Sequence, residues 1–184
     1  MKNILIVVDA QNGFNRHEEN HSEADKIVKL TQSGLFDFII ATRFLNKEGS
    51  PYTKFLDWHQ LQTSPEIDLI KGIHADLVVD KEIYTCVNEN FLATLKAHNE
   101  GKMPHHVFIC GIDTDCCVLK IATDLFEKGI MPITLTHYCF SNGGMKSHLA
   151  GIEVMKRLIG AKCLVDKEIT NKEDVEKIVK ERNY

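Results

Sequence analysis

The sequence predicts a doubly wound α/β fold, in which a mostly parallel, six-stranded sheet lies between helices in three α/β/α layers. Short runs rich in Val and Ile are apolar at consecutive positions, which is typical of strands covered on both faces. These runs alternate with stretches of helical period, and such alternation indicates right-handed βαβ units. At 184 residues, without an internal repeat or a linker, the chain is expected to form a single domain, 1–184.

The six strands are predicted from the apolar runs in order. The first run, 4–8, follows a single lysine and is interrupted by Asp9, so it indicates a strand and not a signal peptide. The remaining runs lie at 38–41, 77–79, 107–110, 133–135 and 163–165. The segment 43–73 contains no clear element, and loops of this length are usually functional or carry small elements of their own.

Helices are predicted between these strands, at 23–33, 89–100, 117–128, 146–159 and 172–182. The fourth is supported by an apolar stripe at helical spacing, formed by Leu149, Ile152, Met155 and Ile159. Gly129 and Gly160 each follow a predicted helix, where a left-handed terminating residue is favoured.

Composition excludes several classes of protein. The chain has 26 acidic and 22 basic residues and is 43% hydrophobic, which is too apolar for a disordered chain. It has no run of about 20 apolar residues, so no membrane span is expected. It has no cluster of Lys and Arg, so no nucleic-acid partner is expected. The six cysteines lack zinc-site spacing and a secretory signal, so we expect reduced thiols in a cytoplasmic protein.

Reactive side chains follow three of the predicted strands. In open α/β sheets, ligands bind outside the carboxyl ends of the strands. Asp9, Lys81 and Cys117 lie at such ends and bring together a carboxylate, an amine and a thiol. Cys117 falls in the first turn of a predicted helix, with Thr114 or Asp115 as its N-cap. The helix dipole and free N–H groups there are expected to lower the thiol pKa and to hold an oxyanion.

Each of these residues also has an ordinary structural interpretation. A cysteine after a strand is usually a small core residue. Asp9 could bond locally in a turn, and Lys81 could be a solvated lysine at a strand end. Together, however, the three suit thiol chemistry, because a carboxylate can take the thiol proton and an ammonium can stabilise the thiolate. Among the histidines, His137 is the closest alternative base.

Three segments of the chain carry a family resemblance. They are 7–14 (VVDAQNGF), 79–85 (VDKEIYT) and 111–118 (GIDTDCCV), of which the third is the most specific. In order and interval they resemble the isochorismatase-like cysteine hydrolase superfamily, which includes nicotinamidases and N-carbamoylsarcosine amidohydrolase. The resemblance extends to about residue 165 and implies the isochorismatase-like hydrolase fold.

The resemblance implies that Asp9, Lys81 and Cys117 form a catalytic triad. It also implies a cis peptide bond between residues 112 and 113, which turns the Asp113 N–H toward the Cys117 N–H to form an oxyanion hole. Asp9 would take the thiol proton, Cys117 would attack an amide or ureido carbonyl, and water would hydrolyse the thioester. The implied substrate is a small amide, no redox cofactor is needed, and the implied assembly is a homodimer or homotetramer.

The chain departs from the family pattern at two places. Nicotinamidases of the family hold a metal ion with an Asp-x-His pair after the second strand, whereas residues 41–46 contain neither residue type. Asp57 and His59 have that spacing, but the Trp58 between them and their distance from the strand favour a loop role, so no metal is expected. Asp113 stands where the family often has a small residue, and its carboxylate would raise the thiol pKa unless it points away.

Seven further residues are candidates for contact with the substrate. They are Gln11, Phe14, Arg43, Phe44, Trp58, Tyr84 and Tyr138. Arg43 could bind a carboxylate with both arms of its guanidinium, or it could form a loop ion pair with Glu48 or Asp57. The aromatic rings could form the wall of an apolar pocket, or they could belong to the edge of the core.

The leading interpretation is a cysteine hydrolase that cleaves a C–N bond of a small amide. An isochorismatase-type cleavage of a vinyl ether is the alternative within the family, and the presence of Cys117 counts against it. A thiol redox protein could use Cys116 and Cys117, which would then form a vicinal disulfide instead of packing in the helix. A binding protein that retained the fold is the third possibility, since the fold alone does not choose among these.

Overall fold

The sheet has six strands in the order β3-β2-β1-β4-β5-β6, and every neighbouring pair is parallel. The computed structural model describes residues 2–16 and 18–182. The strands are β1 (Ile4–Val8), β2 (Phe38–Phe44), β3 (Leu77–Lys81), β4 (His106–Ile112), β5 (Met131–Phe140) and β6 (Leu164–Val165). This arrangement confirms the doubly wound sheet that the sequence predicts.

Helices connect the strands. They are α1 (Glu18–Gln32), α2 (Pro51–Leu56), α3 (Glu89–His98), α4 (Leu119–Glu127), α5 (Gly144–Ile159) and α6 (Lys172–Lys180). With this strand order, right-handed crossovers place α1 on one face of the sheet and α3, α4 and α5 on the other. Of the helices within the described residues, none combines the length and the apolar character that crossing a bilayer requires.

The segment 43–73, which was expected to be functional or to carry small elements of its own, contains one short helix. Helix α2 begins with Pro51 and is capped by Ser50, whose side chain accepts a hydrogen bond from the Thr53 N–H. Proline at the first helical position and serine at the N-cap are both favoured, because neither leaves an additional N–H unsatisfied. A local signal for α2 was therefore present in the sequence.

The helix after β4 begins earlier than predicted. Residues Thr114–Val118 form a π-helical turn before α4, and the N-cap residue is Asp113. The prediction of Thr114 or Asp115 as N-cap is wrong, because both side chains bond elsewhere. Thr114 Oγ1 lies 2.8 Å from His148 Nδ1, and Asp115 Oδ1 accepts a hydrogen bond from Ser141 Oγ.

Helix α5 buries Met155 and Ile159 of the predicted stripe, and Ile152 packs against the core while partly buried. Leu149 departs from the prediction, because it is 53% exposed. Gly151 is buried as well, because α5 crosses the π-turn closely there. A Cβ atom on Gly151 would lie 2.7 Å from Asp115 Cα, so only glycine permits this approach.

Strands β1 and β4 meet at the centre of the sheet, where the topology switches direction. The chain leaves β1 toward β2 on one side, and it returns from β3 to β4 on the other. Clefts that bind ligands form at such switch points. Gly111 pairs with Val8 there at a φ of +124°, and a Cβ atom would lie only 2.1 Å from the Val8 carbonyl oxygen. Glycine at 111 therefore allows the two strand ends to approach each other.

We expect the substitution Gly111→Ala to lower the free energy of unfolding by at least about 3 kcal/mol, because the methyl group collides with rigid backbone. Gly129→Ala is the matched control, since Gly129 also has a positive φ, +75°, but has open space around its Cβ position. The control should cost about 1 kcal/mol. Urea denaturation of both variants measures the difference, and equal losses would refute the close approach of β1 and β4.

Candidate active site

Lys81 is the centre of a buried polar cluster. Its Nζ atom lies 2.7 Å from Asp9 Oδ2 and 3.4 Å from Cys117 Sγ, and it donates to the Ile83 carbonyl at 3.0 Å. Asp9 is 0% exposed, and Lys81 and Cys117 are each 5% exposed. An ammonium group has three N–H donors. Lys81 thus donates hydrogen bonds to the carbonyl and to the thiol, while the Asp9 carboxylate balances its charge in a buried site.

Asp9 is held from two sides. The strand β1 ends as Asp9 enters the left-handed region at a φ of 47°, which aspartate tolerates better than most residues. Thr42 of β2 donates its hydroxyl to Asp9 Oδ1 at 2.7 Å and accepts from the Asp9 N–H at 3.1 Å. Among the described residues, no hydrogen bond of ordinary geometry reaches Asp9 Oδ2, although Lys81 lies beside it. This oxygen keeps a lone pair for a proton.

Cys117 lies in the π-turn, and the hydrogen bonds of that turn bypass its N–H group. The Asp113 carbonyl accepts from the Cys116 N–H and the Val118 N–H, both at 3.1 Å. In an α-helix it would accept from Cys117 instead. The Ile112-Asp113 peptide bond is cis. Within 2–16 and 18–182, neither the Asp113 N–H nor the Cys117 N–H donates to a protein acceptor.

The resting thiol of Cys117 is neutral. Burial raises its pKa well above the ordinary value, the charge of Asp9 raises it further, and Lys81 opposes both without reversing them. Burial is the largest single influence on the pKa of Lys81 and lowers it, but the Asp9 carboxylate and the contact with Cys117 together leave that pKa raised. The expectation that the helix start lowers the thiol pKa is therefore wrong, because burial beside a carboxylate is the larger effect.

The carboxyl group of Asp113 is bound by Asn142. Asp113 Oδ1 accepts hydrogen bonds from the Asn142 N–H at 2.7 Å and from Asn142 Nδ2 at 2.9 Å. Burial raises the Asp113 pKa to about 6, and the charges of Asp115 and Asp9 contribute, while the bonds from Asn142 lower it. Asp113 therefore titrates near neutral pH and presents a second carboxyl group to the site.

An aromatic cluster extends outward from Lys81. Its members are Phe14, Phe44, Tyr52, Trp58 and Tyr84. The Phe44 ring lies 4.9 Å from Lys81 Nζ and stacks on Trp58 at 5.9 Å, and Trp58 stacks on Phe14 at 6.1 Å. Four of these rings were candidates from the sequence, whereas Tyr52 was missed. Burial raises the pKa of Tyr52 to about 12, so its hydroxyl stays protonated.

A cavity of about 390 Å³ lies against this cluster. It is lined by Phe14, Arg16, Trp58, Gln60, Asp113 and Asn142. Gln60 Oε1 accepts a hydrogen bond from Trp58 Nε1 at 2.7 Å and another from Arg16 Nη2. The volume suits a small molecule, and the lining offers a carboxyl group, a guanidinium and two aromatic rings. Sequence reasoning missed Arg16, Gln60 and Asn142, because they come from loops without periodicity.

Three residues expected to contact substrate are engaged in structural hydrogen bonds instead. Arg43 binds both carboxylate oxygens of Asp80 on the neighbouring strand, at 2.7 and 2.9 Å, and not Glu48 or Asp57. Tyr138 accepts a hydrogen bond from the Ile169 N–H at 2.9 Å, beyond β6.

Gln11 is fully buried, and all of its amide groups are used. Its Nε2 donates to the carbonyls of Phe44 and Ile67, and its Oε1 accepts from the Phe44 N–H. The side chain therefore joins the end of β2 to the long loop. It contributes to the site by holding Phe44 in place.

Residues 41–46 do not fit a metal ion. The Phe44 ring packs in the aromatic cluster, and Asn46 Nδ2 donates to the carbonyls of Trp58 and Gln60. Asp57 and His59 contact each other at the surface, 3.1 Å apart. In the part of the chain that the structure describes, no three His, Cys, Asp or Glu side chains are grouped to hold a metal.

All six cysteines are free thiols. Cys116 is half-buried beside Cys117, and burial together with the charges of Asp115 and Asp113 raises the Cys116 pKa to about 11. The raised pKa lowers the share of Cys116 that is present as the reactive thiolate.

Comparison with known proteins shows which protein family the chain matches. The family model described as the isochorismatase domain matches residues 3–165. No curated protein matches the chain significantly. An isochorismatase-like hydrolase from Alkaliphilus metalliredigens is 16% identical, with a TM-score of 0.75, over 96% of this chain and 98% of its own.

Two further solved structures share the fold. A nicotinamidase/pyrazinamidase from Bacillus subtilis is 22% identical, with a TM-score of 0.74, over 90% of this chain and 100% of its own. A pyrazinamidase from Pyrococcus horikoshii in complex with zinc is 21% identical, with a TM-score of 0.69, over 92% of this chain and 100% of its own.

We expect Lys81→Met to lower the free energy of unfolding by about 3–5 kcal/mol, because it leaves the Asp9 carboxylate buried without a counter-charge. Lys47→Met is the matched control, since Lys47 pairs with Glu82 at the surface. That exposed pair should contribute less than about 1 kcal/mol. Urea denaturation at pH 7 measures both, and a loss in Lys81→Met no larger than the control would contradict the assignment of a buried charge pair.

Proposed function

We propose that this chain, which belongs to the isochorismatase domain family, is a cysteine-dependent hydrolase that cleaves the C–N bond of a small amide through a thioester. One observation carries the proposal: a single buried ammonium, Lys81, contacts both the Asp9 carboxylate and the Cys117 thiol. The arrangement provides a base, a nucleophile and the charge that stabilises the thiolate in one water-excluding site.

The proposed reaction begins with proton transfer. Asp9 Oδ2 takes the proton of the neutral Cys117 thiol, and the thiolate attacks the carbonyl carbon of the amide. The tetrahedral intermediate then loses its C–N bond, and the departing amine takes the proton from Asp9. Water next attacks the thioester, giving up a proton through Asp9 to the leaving thiolate, and the carboxylic acid product is released. Throughout, Lys81 stays protonated and stabilises whichever partner carries the negative charge.

The oxyanion of each tetrahedral intermediate is proposed to rest on the N–H groups of Asp113 and Cys117. Both belong to the segment that follows β4, and neither donates to a protein acceptor within the described residues. Free backbone donors that are fixed before the reaction stabilise developing charge without reorganisation. The π-turn supports this role, because it diverts the Asp113 carbonyl away from Cys117.

The alternatives receive less support from the site. A redox role for Cys116 and Cys117 would use both thiols, whereas only Cys117 of the two contacts Lys81 among the described residues. Cleavage of a vinyl ether needs no cysteine nucleophile. This reaction therefore leaves the contact between Cys117 and Lys81 unexplained.

We expect the purified protein to release ammonia from at least one member of a panel of small primary amides and ureides. Cys117→Ala, Asp9→Asn and Lys81→Met should each lower kcat by at least about 10³-fold, because the three groups act as one unit. Coupled ammonia detection measures the rates, and intact-mass spectrometry of a rapid quench should show an acyl adduct that is absent from Cys117→Ala.

Cys116→Ala is the matched control for the nucleophile. The hydrolase proposal expects it to retain most of the activity, since Cys116 makes no contact with Lys81 or Asp9 in the described residues. Equal loss of activity in Cys116→Ala and Cys117→Ala would instead support a function that needs both thiols.

A further inference from the structure

The Asp113 side chain is a polar group of the site that the proposed reaction does not use. Its backbone N–H belongs to the proposed oxyanion hole, and Asp113 is one of the residues that line the 390 Å³ cavity, with Phe14 and Trp58. Both hydrogen bonds that its carboxyl group accepts from described residues end on Oδ1. Among those residues, no donor occupies Asp113 Oδ2.

We propose that Asp113 determines substrate specificity by accepting a hydrogen bond from an N–H group on the acyl side of the scissile bond. The substrate class is then a ureide or an α-amino amide with a planar or apolar substituent. The inference rests on the proposed function, since the position of the carbonyl group is taken from the proposed oxyanion hole.

Covalent geometry limits which substrate atom Asp113 can reach. A carbonyl oxygen bound to the Asp113 N–H lies within one residue's length of the carboxyl group of the same residue. The substrate atoms within reach of the carboxyl group are therefore those directly attached to the carbonyl carbon or one bond further. An N–H at that place would form a charge-assisted hydrogen bond, and a CH₂ group would leave the carboxylate desolvated and unpaired.

The other residues of the cavity suit the substituent carried by the nitrogen or carbon atom that is attached to the carbonyl carbon. Phe14 and Trp58, whose ring centroids lie 6.1 Å apart, contribute aromatic rings to the lining. Aromatic faces favour a planar group of the ligand. The alternative of an anionic substrate held by Arg16 is weaker, because that guanidinium already contacts Gln60 and lies 3.8 Å from Glu66.

Three probes of nearly equal shape separate the possibilities. Phenylurea places an N–H beside the carbonyl, 2-phenylacetamide replaces it with CH₂, and 2-phenylglycinamide adds an ammonium group to that carbon. Binding to Cys117→Ala is measured by ligand-observed NMR, so the result does not depend on turnover. We expect phenylurea and 2-phenylglycinamide to bind about 10- to 100-fold more tightly than 2-phenylacetamide.

The variant Cys117→Ala/Asp113→Asn should lose most of this preference, because an amide accepts a weaker hydrogen bond than a carboxylate. The matched control is Cys117→Ala/Asp115→Asn, in which the neighbouring carboxylate bonds to Ser141 and does not line the cavity. The control should keep the preference. Equal binding of the three probes to Cys117→Ala, or a preference that survives Asp113→Asn, would overturn the proposal. Absence of hydrolysis with an intact preference would overturn only the proposed reaction.

The preference should also depend on pH. Because the Asp113 pKa is about 6, the carboxylate accepts fully above that pH, and the preference for phenylurea should fall as the pH drops through 6. The charged or titratable groups that face Asp113 are Asp9, Arg16, Tyr84, Asp115 and Cys116. In the Asp113→Asn variant, the remaining preference for phenylurea over 2-phenylacetamide should not change between pH 5 and pH 7.5. A change in that range would assign the titration to another of these groups and overturn the role of Asp113.

Discussion

The need to satisfy one buried ammonium organises the carboxyl edge of the sheet. A charged group taken out of water is tolerated only when every donor has a partner. Lys81 at the end of β3 finds its partners at the ends of β1 and β4 and in its own following turn. Thr42 of β2 then fixes the second oxygen of Asp9. Residues from or directly after four strands thus contact Lys81 or its partner Asp9.

The switch in chain direction between β1 and β4 makes this possible. Neighbouring strands whose connections leave in opposite directions keep a cleft open between their ends. Gly111 brings the two strands into close contact, and directly after it the main chain passes through the cis peptide and the π-turn. The geometry of the backbone after β4, as much as any side chain, defines what the cleft can bind.

The proximity of Asp9, Lys81 and Cys117 could be predicted from the sequence, whereas the walls of the cavity could not. Apolar runs mark where strands end, and parallel strand ends share one edge, so reactive residues at those ends are expected to meet. The shape of the segment 43–73 depends instead on Gln11 and Asn46, whose buried amides bond to backbone far away in sequence. Such bonds produce no periodic pattern of residues in the local sequence. Likewise, the partner of Arg43 is set by the register of β2 with β3, which the sequence does not display.

Trp58 is the single tryptophan of the chain, and it lines the cavity. It stacks between Phe14 and Phe44 and donates its indole N–H to Gln60. The tryptophan emission of the whole protein therefore originates from one wall of the proposed substrate cavity. A ligand that enters will change the polarity around this indole, so occupancy can be read from native fluorescence without a label. Because Trp58 lies in the segment 43–73, its emission also reports the opening of that segment. Circular dichroism reports the secondary structure of the sheet. The two signals together therefore separate local unfolding from global unfolding.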